Sequence, residues 1–385
     1  MTQKLYETDS YVQTFAAQVL ACTPVQGGFA VVLDQTAFFP EGGGQPCDTG
    51  TLGAARVLAV HTDGTTITHT TDAPLTVGGT VEGCIDWPAR LDAMQQHTGE
   101  HILSGTLHRL FGAENVGFHI GTPYVRMDTS IPLTAAQLAQ AEAEANAAVR
   151  ADTPVRCWVP DPETLAHTEY RSKKALTGAV RLVQFGDIDL CACCGTHVAR
   201  TGEIGLIKLF STTHFRGGSR IEMACGGRAL AVLNALCAQN RDISVRLSAK
   251  PVQTAAAVAR LASERTEAQQ RAAALEDRLF ALLAQDGQTL RFEPPMPPES
   301  VRRLADAMVR ANEARSAVFA GQDGAWHYAM ADPSGDLRGL VKRLNAALQG
   351  RGGGKPGFVQ GSLAASRTDI EAFFTAESCS MPDPA

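Results

Sequence analysis

Two short stretches of the 385-residue chain place metal-binding side chains four positions apart. His97 and His101 are separated by Thr-Gly-Glu, so on a helix both imidazoles lie on one face, about one turn apart. Cys193 and His197 have the same interval, with Cys-Gly-Thr between them. Three imidazoles and one thiolate form a donor set that suits Zn(II). The two pairs together predict a zinc site built from His97, His101, Cys193 and His197.

The spacing alone does not identify the cysteine ligand, because Cys191, Cys193 and Cys194 all lie near His197 in the sequence. Alternation along a strand would place Cys191 and Cys193 on one side and Cys194 on the other. Gly195 allows a turn through which Cys193 and His197 converge. We therefore favour Cys193, and expect the other two cysteines to be small core residues or to lie behind the ligands.

A rival interpretation comes from the same helix. The segment HTGEH also fits the H-x-x-E-H pattern of zinc metallopeptidases, in which the glutamate is the general base. In a peptidase the third ligand would be a downstream carboxylate, and Cys193 and His197 would have no role. The four-ligand site therefore ranks above the peptidase. Glu100 lies about 100° around the helix from its neighbour, and we predict a surface carboxylate there.

Positive charge is concentrated in two segments of a chain whose net charge is −6. Residues 168–228 hold nine Lys or Arg against five Asp or Glu, and residues 339–367 hold five basic residues and no acidic one. Two basic segments on an acidic chain suit a polyanion held at defined places. Ordinary variation in surface charge accounts for the same counts equally well, so the charge pattern does not decide by itself.

The composition bounds the class of protein. Hydrophobic residues make up 44% and charged residues 19%, which excludes wholesale disorder. The length predicts two or three domains. No apolar run approaches the ~20 residues that span a bilayer, and the polar amino terminus does not fit a signal peptide. Ten cysteines are too few for a disulfide scaffold in a chain this long. We expect a cytoplasmic enzyme without a membrane partner, whose clustered thiols bind metal.

The elements that must position these residues form an α+β fold. Residues 1–90 alternate β-prone runs with Gly and Asp turns, which predicts a small barrel-like domain. A helical pattern ending at Gly112, a strand pair, a helix over about 134–151 and further strands predict an α+β domain over 91–245. A long helix is expected over 246–290. The remainder, 291–385, predicts a small α/β domain with helices over 301–320 and 335–349 and a glycine-rich loop over 349–362.

Several motifs resemble one known family. The segments PEGGGQPCDTG at 40–50, DAMQQHTGEHILS at 92–104 and CCGTHVARTGEIGLIK at 193–208 resemble the editing domain of alanyl-tRNA synthetase in its free-standing form, the AlaX family of alanyl-tRNA editing proteins. The segment FRGGSRIEMACGGRAL at 215–230 resembles the end of that domain. GRGGGKPGFVQGS at 350–362 resembles the glycine-rich loop of the DHHA1 domain. The layout is similar to the long AlaX type, and the resemblance runs almost end to end.

The resemblance implies a zinc-dependent hydrolase that cleaves the ester of tRNA(Ala) mischarged with serine or glycine, and not an enzyme that charges tRNA. It also implies further site residues. The glycines would approach the ribose or amino acid, the glutamines would hydrogen-bond to ligands or substrate, and the arginines would hold phosphates of the acceptor end: Gly42, Gly43, Gly44, Gln45, Gln96, Arg216 and Arg220. Their structural alternatives are a tight turn, structural amides and an ion pair with Glu222.

The basic residues of the last segment, by the same resemblance, would hold the tRNA backbone: Lys342, Arg343, Arg351 and Lys355. The terminal domain would contact the body of the tRNA or mediate a homodimer. A third interpretation stays open. If the metal site is purely structural, the protein is an RNA-binding module without hydrolytic activity.

Overall fold

The computed structural model describes residues 1–172 and 180–379. The chain divides into two compact units, Met1–Asp242 and Ile243–Ala385. The fold is α+β, as the sequence predicts. Within the described residues, every helix is too short or too polar to cross a bilayer. The finer division into four segments stays a prediction.

The first 85 residues of the first unit form a β-barrel with short flanking elements. The elements in chain order are β1 (Gln3–Lys4), α1 (Leu5–Thr8), β2 (Thr14–Val25), β3 (Gly28–Leu33), β4 (Gln35–Thr36), β5 (Gly50–Leu52), β6 (Ala55–Thr62), β7 (Ile67–Thr71) and β8 (Thr80–Ile85). The barrel closes in the order β2-β3-β7-β6-β5-β8. Alternate residues of β2 fill its interior, among them Phe15, Ala17 and Val19. The predicted N-terminal barrel is confirmed.

Helix α2 (Trp87–Phe111) follows the barrel. Asp86 caps its start by accepting a hydrogen bond from the Ala89 N–H, and Gly112 ends it in the left-handed conformation with φ +65°. The helix has no single apolar stripe, because every residue from Gln96 to Leu107 is buried. This all-round burial places His97 and His101 inside the unit.

The rest of the first unit contains two small sheets and further helices. These elements are β9 (Asn115–Ile120), β10 (Val125–Thr129), α3 (Ala135–Ala151), β11 (Val155–Trp158), α4 (Pro162–Ala166), β12 (Leu182–Phe185), β13 (Asp189–Ala192), β14 (Ile207–Phe215), β15 (Gly218–Cys225) and α5 (Gly226–Arg246). The sheets have the orders β14-β15-β10-β9 and β11-β12-β13. Helix α3 and strands of both sheets contact α2, and the last helix, α5, continues past Asp242. Leu103 and Leu107 of α2 share one core with Met127 and Phe185. Cys193 directly follows β13.

The second unit contains one long helix and a five-stranded sheet with its own core. Its elements are α6 (Thr254–Leu283), β16 (Leu290–Glu293), α7 (Pro298–Asn312), β17 (Ser316–Gln322), β18 (Ala325–Ala331), α8 (Arg338–Ala347), β19 (Arg351–Lys355), β20 (Phe358–Leu363) and α9 (Arg367–Cys379). The strand order is β16-β17-β18-β20-β19. Phe319, Met330 and Leu344 lie in the core between sheet and helices.

Several predicted elements of the second half differ from the structure. The helix expected over 301–320 ends at Asn312, and residues 316–322 form β17, because they pair with β16 on one side and β18 on the other. The glycine-rich segment over 349–362 is the hairpin β19–β20, not a loop. The long helix is present as α6, but it begins at Thr254 and is preceded by α5, a helix that the sequence reading did not predict.

Candidate metal centre

The structure brings His97, His101, Cys193 and His197 together inside the first unit. One donor atom of each lies within 4.8 Å of the others, and the three imidazoles are buried. Helix α2 supplies the first two from adjacent turns, and the turn after β13 supplies the other two. Gly195 is required in that turn, since a Cβ there would lie 2.3 Å from Cε1 of His97. The backbone thus passes directly over the imidazole ring.

Each of the three histidines is held through Nδ1. His97 Nδ1 lies 2.8 Å from Oε1 of Gln45, and His197 Nδ1 lies 3.2 Å from Oγ1 of Thr98. His101 Nδ1 lies 3.4 Å from Oδ2 of Asp189 and 3.1 Å from Sγ of Cys191. With Nδ1 as the donor to these partners, every Nε2 carries a free lone pair.

The three Nε2 atoms face the Cys193 side of the cluster. His97 Nε2 lies 3.5 Å from Sγ of Cys193. Nε2 of His101 and Nε2 of His197 are buried and have no hydrogen-bond partner among the described residues. A buried polar atom without a partner is costly unless a ligand satisfies it. Three imidazoles and a thiolate around one point fit a tetrahedral Zn(II), so these four residues could hold the ion.

The surroundings of Cys193 and His197 favour the protonation states that bind a metal. Burial alone would raise the pKa of the Cys193 thiol, but the charge of His97 and the nearby imidazoles of His101 and His197 hold it well below its usual range. Burial lowers the pKa of His197 to about 3, although the nearby sulfur of Cys193 opposes this. A thiolate and a neutral imidazole are the forms that coordinate metals.

The other two cysteines of the CACC segment do not join the cluster of four. The Cys191 sulfur contacts Nδ1 of His101, on the side of the ring away from its free nitrogen. Cys194 is exposed and its sulfur lies beside Gly43 of the glycine-rich loop, so the expected position in the core or behind the ligands is wrong for this residue. Arg181 supports the turn from outside, since its NH1 donates to the carbonyl oxygens of Cys193 at 3.0 Å and Gly195 at 2.9 Å.

Gln45 joins the glycine-rich loop to both ligand-bearing segments. Besides the contact with His97, its Oε1 accepts a hydrogen bond from the Thr196 N–H at 3.2 Å, and its Nε2 donates to Thr196 Oγ1 at 2.7 Å. Gly43 and Gly44 have positive φ, and a Cβ at Gly44 would lie 2.6 Å from Phe118. Gly42 closes the turn through backbone hydrogen bonds with Gln45. The loop therefore aims Gln45 at the metal centre.

Gln96, unlike Gln45 of the glycine-rich loop, hydrogen-bonds to Cys225 and Asp92. Its Oε1 accepts from the N–H of Cys225 at 2.7 Å, and its Nε2 donates to the Cys225 carbonyl and to Asp92, each at 3.0 Å. Its side chain is fully buried among these partners. The amide therefore ties α2 to the end of β15, which corresponds to the structural alternative.

Glu100 is buried with 1% of its surface exposed, so the prediction of a surface carboxylate is wrong. The helical angle alone could not show that other strands cover this face. Oε1 accepts a hydrogen bond from Nδ2 of Asn115, while Oε2 has no partner among the described residues and lies 4.0 Å from Nε2 of His101. Burial opposes the charging of His101, but Cys191 and Glu100 together raise its pKa well above its usual value. The protonated form of the metal-free ring is therefore favoured.

The two predicted phosphate-binding arginines lie at the β14–β15 hairpin. Arg220 is engaged, because its Nε and NH2 contact Asp128 at 2.7 and 2.8 Å and its guanidinium stacks 3.6 Å from the centre of the Phe215 ring. The predicted partner Glu222 instead contacts Arg126. Arg216, in the turn of the hairpin with φ +48°, is exposed beside the same ring. Lys173 and Lys174 of this basic segment lie outside the described residues.

The basic residues of the second unit surround the β19–β20 hairpin. Lys342 and Arg343 lie on α8, while Arg351 and Lys355 begin and end β19, and all four are exposed. Arg343 forms a two-contact ion pair with Glu377, at 2.8 and 2.6 Å. The hairpin thus presents basic side chains at both ends of a strand whose middle is three glycines.

Apart from Gln45, the side chains that hold the ligands were not predicted from the sequence. Thr98, Asp189 and Thr196 contact a histidine or Gln45, and each lies within a few residues of a predicted ligand. Polar residues that flank metal ligands in the sequence are the signal that could have found them. Arg171, which contacts Asp189, lies 18 positions away and gave no such signal.

Comparison with known proteins agrees with the resemblance noted in the sequence. Residues 180–222 match the model of the threonyl and alanyl tRNA synthetase second additional domain. The chain is 28% identical to the alanyl-tRNA editing protein Aarsd1 of Mus musculus, over 96% of both chains. It is 33% identical to the alanine–tRNA ligase of Pyrobaculum neutrophilum over 94% of this chain, which spans only 42% of the ligase.

A solved structure is similar to a smaller part of this chain. The C-Ala domain of Aquifex aeolicus alanyl-tRNA synthetase is similar to 23% of this chain and 87% of its own, at 18% identity and a TM-score of 0.21. An overlap this slight supports no further conclusion.

Proposed function

The chain belongs to the family that joins the alanyl-tRNA editing proteins to the editing region of alanine–tRNA ligases, and from this premise we propose that it is a trans-editing deacylase. Its substrate would be tRNA(Ala) mischarged with serine or glycine, and its reaction the hydrolysis of the ester at the terminal ribose. The observation that carries the proposal is the convergence of three imidazoles and a thiolate on one point, with the glycine-rich loop attached through Gln45.

The reaction answers a known limit of selection by binding. A pocket for alanine cannot exclude the smaller glycine, and one extra hydroxyl gives little discrimination against serine. A separate hydrolytic site removes the wrong product. An ester is more reactive than an amide, so a positioned water and stabilisation of the oxyanion suffice without a covalent nucleophile.

The residues of this chain would share the work as follows. His97, His101, Cys193 and His197 would hold Zn(II). Because four protein ligands fill a tetrahedral shell, the bound ion would position the water and the ester instead of generating hydroxide. Gln45 fixes the ring of His97 and the turn of Cys193 through its three hydrogen bonds. The turn at Gly42, Gly43 and Gly44 allows the terminal nucleotide a close approach to backbone.

The proposed tRNA contacts are basic residues without a buried partner. Arg216 in the β14–β15 hairpin would contact phosphates of the acceptor end. Its guanidinium lies over the ring of Phe215, on which Arg220 also stacks. In the second unit, Lys342, Arg351 and Lys355 would contact the backbone of the tRNA, with Arg343 held beside them by Glu377. A homodimer through the second unit stays a prediction, which sedimentation velocity would test.

The direct test is a deacylation panel with the full chain. We expect hydrolysis of Ser-tRNA(Ala), Gly-tRNA(Ala) or both, little hydrolysis of Ala-tRNA(Ala), and loss of activity after chelation that zinc restores. Binding of tRNA without hydrolysis in the presence of zinc would contradict the proposal and favour the RNA-binding module.

Glu100 separates the deacylase from the peptidase. A peptidase of the H-x-x-E-H type uses this glutamate as general base, and the change Glu100→Gln would cost about 100-fold or more in rate. In the proposed deacylase the water is positioned by the metal centre, so we expect a loss of Ser-tRNA(Ala) hydrolysis below about tenfold. A peptide substrate cleaved by the wild-type chain and spared by Glu100→Gln would establish the rival function.

A further inference from the structure

A second polar cluster lies behind the ring of His101. Nδ1 of His101, a carboxylate oxygen of Asp189 and the sulfur of Cys191 lie within 4.8 Å of one another, and all three residues are buried. Such a set could hold a second cation. The cation is already present as a side chain, because Arg171 contacts Asp189 through Nε at 2.7 Å and through NH2 at 2.9 Å. The cluster is therefore a support for His101 and not a second metal site.

The support of His101 differs in charge from that of the other two imidazoles. His97 is held by the neutral amide of Gln45 and His197 by the neutral hydroxyl of Thr98. His101 faces a carboxylate. A carboxylate that accepts the Nδ1 proton fixes the tautomer, orients the ring and makes Nε2 a stronger ligand.

The Asp189–Arg171 pair also joins the two segments that carry the ligands. Asp189 lies in β13, four residues before Cys193, and NH2 of Arg171 donates to Oγ of Ser104 on α2 at 3.0 Å. Gly105 admits the carboxylate to the helix surface, since a Cβ there would lie 2.7 Å from Cβ of Asp189. One partly buried ion pair thus joins the two segments that carry the ligands.

We propose that Asp189, fixed by Arg171, is a positioning residue that holds His101 in the Nδ1–H tautomer with Nε2 directed into the metal centre. The proposal rests on the proposed function only in requiring that the centre binds zinc. It involves no contact of Asp189 with substrate, so its effect is expected on metal affinity and not on recognition of tRNA.

The test measures zinc affinity by competition with a chromophoric chelator in the full chain. We expect Asp189→Ala to weaken zinc binding about 10- to 100-fold, and Asp189→Asn, which keeps an acceptor oxygen but loses the charge, to lie between it and the wild type. The matched control is Asp128→Asn, because Asp128 forms an equally close two-contact pair with Arg220 but contacts no histidine of the centre. Its zinc affinity should equal that of the wild type.

A second measurement does not depend on metal affinity. Nitrogen-15 spectra of selectively labelled, metal-free protein, recorded at a pH high enough to leave the ring neutral, report the tautomer of His101, which should be the Nδ1–H form in the wild type and a mixture in Asp189→Ala. Wild-type affinity in Asp189→Ala, an equal loss in Asp128→Asn, or an unchanged tautomer would overturn the proposal. Failure of the wild-type chain to bind zinc would overturn the proposed function as well.

Discussion

Two buried polar clusters of the first unit contrast in how their atoms are satisfied. Next to the barrel, Arg90 and Asp48 form an ion pair whose side chains are 0% and 4% exposed. Arg90 donates to Asp48 through Nε and NH2, to the Ala37 carbonyl through NH2 and to the Ser10 carbonyl through NH1. In the metal centre, Nε2 of His101 and of His197 have no partner among the described residues.

This difference distinguishes a structural polar cluster from a ligand-binding one without reference to any related protein. A polar cluster that saturates itself, such as Arg90 with Asp48, needs nothing from outside and ties the loop around the barrel to the first turn of α2. A cluster that leaves two nitrogens open and directs them to the same point is incomplete until a ligand arrives. The metal centre should therefore respond to zinc, and the ion pair should not.

The largest expected effect is on zinc content. Replacement of the sulfur in Cys193→Ala should reduce bound zinc from about one per chain to below about a tenth and abolish deacylation, because it removes one of four donors. The matched control is Cys194→Ala, which changes the neighbouring exposed thiol and should leave zinc content unchanged. Atomic absorption after dialysis measures both, and full zinc occupancy in Cys193→Ala would refute the four-ligand centre.

The ion pair should show a large loss of stability that zinc does not repair. Arg90→Met leaves the Asp48 carboxylate buried without its partner, and breaking a buried pair in this way costs about 3–5 kcal/mol. Urea unfolding with saturating zinc measures it. The double variant Arg90→Met with Asp48→Leu should recover much of the loss, since no lone charge remains. A zinc-dependent rescue of the single variant would erase the distinction between the two clusters.

His69 inside the barrel gives a smaller, pH-dependent version of the same contrast. Its Nε2 contacts Oγ1 of Thr36 at 2.9 Å and its Nδ1 the carbonyl of Val31 at 3.3 Å, so both nitrogens are satisfied. Burial lowers the pKa of His69 from 6.5 to about 4, against the opposing hydrogen bond to Val31. The unfolded chain therefore binds the proton first as the pH falls.

The stability that comes from neutral His69 is fully present above pH 6.5 and is lost as the pH falls toward 4, by about 3 kcal/mol in all. His69→Asn removes this titration, so its unfolding free energy should fall less steeply between pH 7 and pH 4.5 than that of the wild type. Parallel pH profiles for the two proteins would show that His69 is not held neutral.

The sequence predicted the four metal-binding side chains better than it predicted the residues packed around them. Both ligand pairs, each four residues apart in the sequence, are also close in space. One pair lies on a helix and the other on a short turn, where local geometry determines the distance. Glu100 was misjudged because the periodicity of a helix tells which residues share a face, but not what packs against it. Likewise the residues of β17 suit a helix locally, and only pairing with β16 and β18 makes them a strand.

The hydrogen bonds from Arg181 to the turn after β13 affect how fast the centre can bind a metal ion. One guanidinium nitrogen holds the carbonyl oxygens on either side of Cys194, so the curvature of that turn does not depend on an incoming cation. The Cys193 thiolate is then already in position, and binding of the ion requires little rearrangement of the main chain. A chain stripped of its metal should accordingly reload in a single rapid phase, without a slow ordering step.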